Sequence, residues 1–157
     1  MKTATIKELA YLIKQAKKQG LPKPIVFLGA GASKTGGIPL ANEIVTDILN
    51  QYKDNPLIID LQENEQTYVK LMDCLLPFER NALLKGYIDN AKINVSHIYL
   101  AQFIKEGYID YVLTVNFDDL MLRALALFND FPPTYDMAIL KDLTTTNFKE
   151  KSVVYLH

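Results

Sequence analysis

Gly29-Ala30-Gly31-Ala32-Ser33 follows the apolar run Ile25-Val26-Phe27-Leu28, and Gly37-Ile38-Pro39 comes soon after. A row of small residues lets backbone N–H groups approach and cradle an anion, so this stretch has the chemistry of a phosphate-contacting loop. Two further clusters carry polar chemistry: Asn116-Phe117-Asp118-Asp119 after the run Tyr108–Val115, and His157 after Ser152–Leu156. Each also has a plainer structural reading. Strand-to-helix turns use glycine for steric reasons, Asn and Asp are favoured helix caps, and a histidine at a strand end is an ordinary polar terminus.

The elements that must position these clusters are legible as periodicity. Residues 5–19 place Ile6, Leu9, Ala10, Ile13 and Ala16 on one helical face, with Thr5 and Glu8 at capping-box spacing and Gly20 just beyond. Ile25–Leu28 reads as a buried strand, and the next helix is expected to begin only near Pro39 or Leu40 and to run to Tyr52. Residues 57–90 keep a helical period, which predicts a helical insertion. Ser96 or Asn94 can cap a helix ending at Gly107, Tyr108–Val115 reads as a second strand, and a helix from Leu120 to Phe128 stops at Pro132-Pro133. Met137–Leu140 is either a short strand or irregular, Leu143–Glu150 a polar loop or short helix, and Ser152–Leu156 a strand.

Strands alternating with helices predict an α/β fold, a Rossmann-like parallel sheet with helices on both faces and a helical insertion at about 57–90. Ligands bind such sheets at the carboxyl ends of strands, where all three polar clusters fall. An ordinary dinucleotide fingerprint is disfavoured, because Lys34 stands where the third glycine belongs, and no Gly-Lys-Ser/Thr ending marks a P-loop.

Composition narrows the partners. With 49% hydrophobic and 22% charged residues the chain is globular, and a net charge of -1 argues against nucleic acid as its main partner. Lys14, Lys17, Lys18 and Lys23 read as a solvated helix face. Cys74 is the only cysteine, so neither a disulfide nor a cysteine-built metal site exists within these residues, and it reads as a buried core thiol. No apolar run reaches bilayer length, so no membrane partner is expected and a reducing cytoplasm is the default compartment. His97 shares a helical face with Ala101 and Ile104 and reads as a packed, hydrogen-bonded structural histidine.

The order Gly29-Ala-Gly-Ala-Ser33, Gly37-Ile-Pro39, His97 before Leu100-Ala101 and Gly107, Thr114-Val-Asn-Phe-Asp118, then Tyr155-Leu-His157 resembles the catalytic domain of the sirtuins. Sirtuin deacylases follow Gly-Ile-Pro with Asp-Phe-Arg, whereas Leu40-Ala41-Asn42 stands here, and the helical block of residues 57–90 is extra. Both departures resemble divergent bacterial sirtuin-like domains of antiphage defence, which hydrolyse NAD+. The resemblance implies one sirtuin-like NAD-binding domain over 1–157 that cleaves NAD+ to nicotinamide and ADP-ribose and acts by NAD+ depletion.

It implies further that Gly29, Ala30, Gly31, Ala32, Ser33, Ile38, Pro39, Asn116, Phe117 and Asp118 bind NAD+, with Ser33 on ribose or phosphate. Asn116 would position ribose hydroxyls or water, Asp118 the nicotinamide carboxamide, and His157, with a reference pKa near ~6.5, would be the general base. A C-terminal sensor domain or partner protein and a homo-oligomer are implied as well. The alternatives are an NAD+ or ADP-ribose sensor without turnover and an NAD-dependent protein deacylase.

In the family a glycine and further strands follow the catalytic histidine, so the sequence is expected to be an N-terminal fragment whose own activity is open. Etheno-NAD+ hydrolysis is expected to rise in a version extended beyond His157; equal rates for both lengths would contradict the expectation.

Overall fold

The computed structural model describes residues 3–140 and 146–156. It divides into two compact units, one of Met1–Ala32 with Ile93–His157 and one of Ser33–Lys92.

The first unit opens with α1 (Ile6–Gln19). Its capping box is formed: Glu8 N–H donates to Thr5 Oγ1 at 3.2 Å, and Thr5 N–H donates to the Glu8 carboxylate at 2.7 Å. Gly20 then ends the helix at φ +65°, a left-handed conformation that costs glycine little. Strands β1 (Ile25–Leu28), β2 (Tyr111–Thr114), β3 (Thr134–Asp136) and β4 (Ser152–Tyr155) form a wholly parallel sheet in the order β1-β2-β4-β3. The fold is thus α/β and Rossmann-like.

Side chains alternate across the sheet with period two. Val26, Leu28, Val112, Val153 and Tyr155 pack with Ala101 and Ile104 of α7 (Val95–Lys105) and with Met121, Ala124 and Leu125 of α8 (Leu120–Ala126). Ile25 and Phe27, on the other face of β1, are exposed. At the amino ends of the strands Lys23 Nζ meets Asp110 Oδ1 at 2.8 Å, and Ser152 N–H donates to the Asp110 carbonyl at 2.9 Å. Lys23 is therefore part-buried and paired, not one of a row of solvated lysines.

Four expectations about the elements shift. A one-turn helix α2 (Gly31–Lys34) forms directly after β1, where a longer loop was expected, closed by the Ala32 N–H to Gly29 O bond at 2.9 Å. β2 starts at Tyr111 because Gly107, at φ +71°, and the Tyr108 N–H, bonded to Phe103 O at 2.8 Å, are used in stopping α7. The short strand after Pro132-Pro133 is Thr134–Asp136, with a turn over 137–139. Of the ambiguous stretch 143–150, residues 146–150 form neither helix nor strand, and 143–145 lie outside the described residues.

The second unit is helical: α3 (Ala41–Gln51), α4 (Pro56–Ile59), a 3-10 turn at Glu63–Glu65, α5 (Tyr68–Cys74) and α6 (Pro77–Asn90). α5 packs on α3 and α4, and Ile44, Ile48, Ile58, Leu71 and Leu75 are buried. The Tyr87 hydroxyl donates to Asp47 Oδ2 at 2.7 Å; burial first and this carboxylate second push the phenol pKa upward. Cys74 is half-buried at the end of α5, with Sγ 3.7 Å from Leu57 O, rather than sealed in a core.

Leu125 is fully buried beneath the sheet. Leu125→Ala is expected to cost about 2–5 kcal/mol through lost burial and the cavity left behind, read as a lower midpoint of denaturant unfolding.

Candidate functional site

The carboxyl ends of β1 and β2 lie level because Leu28 is paired with Thr114. The pairing continues one step past the strands: Val115 N–H donates to Leu28 O at 3.2 Å, and Leu156 N–H donates to Thr114 O at 2.8 Å. Gly29 and Asn116 leave their strands side by side. The Asn116 amide Nδ2 donates to Gly29 O at 3.1 Å, and its backbone N–H donates to Thr114 Oγ1 at 3.0 Å. The first bond fixes the side chain and the second the backbone of a residue that is only 7% exposed.

Asp118 is held as firmly but is not used up. Its Oδ1 accepts from Leu120 N–H at 3.1 Å at the start of α8, and its carbonyl accepts from the Tyr155 hydroxyl at 3.2 Å. The other carboxylate oxygen, Oδ2, is buried with no hydrogen-bond partner among the described residues. An unpaired buried acceptor is costly, on the order of 1–3 kcal/mol and more for a charged group, so a donor from a ligand would relieve it.

Neither Gly29 nor Gly31 adopts the left-handed region, and a Cβ at either would meet no atom within 4 Å. Among the described residues no contact requires glycine at these two places, so the backbone there is open to close approach. Gly37 differs, since φ of +100° strains any other residue.

At the start of α7, half-buried Asn94 and buried His97 form a second brace. Asn94 Oδ1 accepts the N–H groups of Ser96 and His97 at 3.0 and 3.1 Å, and Asn94 Nδ2 donates to Ala32 O at 2.7 Å. The cap of α7 thereby pins the glycine-rich turn. His97 Nδ1 accepts from Asn94 N–H at 3.4 Å, so the neutral ring carries its proton on Nε2. Burial lowers the His97 pKa below the ordinary histidine value, and the Asp118 charge partly offsets that. Burial, followed by the charges of Asp118 and Asp119, pushes the Tyr155 phenol up to about 12, keeping it a donor.

Of the expected site residues, Gly29, Ala30, Gly31, Ala32, Asn116, Phe117 and Asp118 belong to the first unit, and the Asn116–Gly29 bond joins the first two clusters. Ser33, Ile38 and Pro39 belong to the second unit, where Ile38 N–H donates to Ser33 O at 3.3 Å and Ser33 and Ile38 are buried. His157 lies outside the described residues. Tyr155 and the Asn94 side chain were not expected in the site. Asn94 had a signal, an amide three residues before His97, but its reach to Ala32 crosses 62 positions of sequence.

No protein-family model matches the chain, and no curated protein matches it. Among solved structures it is similar to a sirtuin studied for substrate affinity, at 25% identity and a TM-score of 0.45 over 77% of this chain and 41% of that one. It is also similar to Sir2Tm bound to a propionylated peptide, at 24% identity and a TM-score of 0.42 over 77% and 41%, and to Sir2 bound to an acetylated peptide, at 23% and 0.39 over 77% and 42%. The chain spans about two fifths of the length of these structures.

His97 generates a pH dependence of stability. Its folded pKa lies below the unfolded value of about 6.5, so the unfolded state binds the extra proton first. Stability is complete above about pH 6.5 and falls as the pH drops below it, until the depressed folded pKa is reached. His97→Gln is expected to flatten this part of the melting-temperature profile; an unchanged slope between about pH 7 and 5 would contradict it.

Proposed function

We propose that the carboxyl end of β1 and β2 binds NAD+ and hydrolyses its nicotinamide–ribose bond. The observation that carries this reading is the buried, unpartnered Asp118 Oδ2, set beside an Asn116 whose amide is tied to Gly29 O. The nicotinamide carboxamide offers the N–H donor that Oδ2 lacks. The open backbone at Gly29 and Gly31 accepts the close approach of a phosphate.

Nicotinamide leaves NAD+ as a neutral molecule from a cationic one, so the leaving group needs no protonation. The protein's task is to hold the ring away from coplanarity, stabilise positive charge developing on the ribose, and orient one water. Asp118 grips the carboxamide and places a negative charge near that developing cation. Asn116 orients the water or a ribose hydroxyl, and water adds to the ribose carbon as its bond to the nicotinamide nitrogen breaks. His157 is assigned the proton from that water, on the sequence resemblance alone. The same resemblance supports a role in NAD+ depletion during antiphage defence, with a sensor domain or partner as the trigger.

Nicotinamide release from NAD+, followed by chromatography, tests the reading. Asn116→Ala is expected to lower kcat by about 10²–10³, the loss seen when one positioned polar group is removed, while NAD+ affinity by calorimetry changes little. Asp118→Asn keeps the Leu120 cap and is expected to weaken NAD+ binding about ten-fold or more. Binding without release would favour a sensor, and release only with an acyl-lysine peptide would favour a deacylase.

A further inference from the structure

α1 carries an apolar face that its own unit leaves uncovered. No residue of this helix is buried, and Ile6, Leu9 and Leu12 are 87%, 53% and 58% exposed. Between the first turns of α1 and the end of α7 runs an apolar groove of about 370 Å3, lined by Ile6, Leu9, Ile13, Lys14, Phe103 and Tyr108. Phe103 and Tyr108 meet edge to face at 6.0 Å and make a firm floor. A concave apolar floor beside a helix accepts the side chains of one further helix, whose anchors recur every three or four residues.

Charge selects the occupant. α1 bears Lys7, Lys14, Lys17 and Lys18 but only one acid, Glu8, which is engaged by both the N–H and the hydroxyl of Thr5. Among the described residues the ion pairs are Lys23–Asp110, Lys34–Glu43 and Arg123–Asp119, so none neutralises a lysine of α1. Lys17 Nζ instead sits 4.2 Å above the Tyr108 ring at the groove's end. A second copy of α1 laid in the groove would bring lysine against lysine. A helix with an apolar stripe and acidic flanks would meet complementary charge along the edge of α1 that carries Lys7, Lys14 and Lys18.

The geometry points to this groove as a docking site for an acidic amphipathic helix of a partner protein, separate from the Asn116–Asp118 site. Anisotropy of a fluorescent helical peptide, with leucines at i, i+3, i+4 and i+7 and glutamates on its flanks, tests it on the whole chain. A matched peptide with lysines on its flanks serves as comparison.

The acidic peptide is expected to bind saturably and about ten-fold or more tighter than the lysine one, and to weaken as salt rises. Leu9→Asp and the double variant Lys7→Glu/Lys14→Glu should each weaken it about ten-fold with the melting midpoint preserved. Equal binding of both peptides, or no binding, would overturn the proposal. So would uptake of the chain onto phosphatidylserine vesicles in preference to the peptide, or self-association abolished by Leu9→Asp.

Discussion

The structure depends on the level pairing of β1, β2 and β4. Leu28, Thr114 and Tyr155 share one register position, and backbone bonds continue beyond them to Val115 and Leu156. A parallel ladder fixes the height at which each chain leaves the sheet, so the segments at Gly29 and Asn116, distant in sequence, are released at one edge. The Asn116–Gly29 bond exists only because that register holds. The Lys23–Asp110 pair at the opposite ends of β1 and β2 helps to hold it, being part-buried and spanning the two strands that matter most.

Above that edge the protein keeps polar groups where an apolar core would be more stable. Thr114, Asn116, Asp118 and His97 are all nearly inaccessible. Most of their hydrogen-bonding capacity is met within the unit, by Tyr155, Leu120, Asn94 and Gly29, which locks their orientation. Asp118 Oδ2 is the exception. A network of fixed groups that leaves this acceptor of Asp118 open is pre-organised toward a donor at that point, with the cost carried by the surrounding fold.

Much of this was legible in the sequence, for identifiable reasons. Strong periodicity gave α1, α7 and the three longer strands, and the strand–helix alternation gave a parallel sheet. Asn116 and Asp118 were visible as polar residues closing an apolar strand. What escaped was set by tertiary bonds or by short local geometry. α2 is one turn of small residues, too short for a period. The start of β2 was misplaced because residues 107–108 serve the end of α7. Asn94 looked like a cap and is one, yet its second bond to Ala32 could be known only from the fold. The division at Ser33 falls inside an uninterrupted run of small residues, without the composition change that marks a linker.

The hydrolysis proposed for the Asn116–Asp118 edge requires that water, and nothing else, replace nicotinamide on the ribose. Incubating the chain with NAD+ in water enriched in oxygen-18, and weighing the sugar product by mass spectrometry, tests this most directly. The account predicts free nicotinamide and ADP-ribose carrying one heavy oxygen, both lost in Asn116→Ala. Intact NAD+ after prolonged incubation with protein shown to bind it, or product formed equally by the variant, would contradict the account.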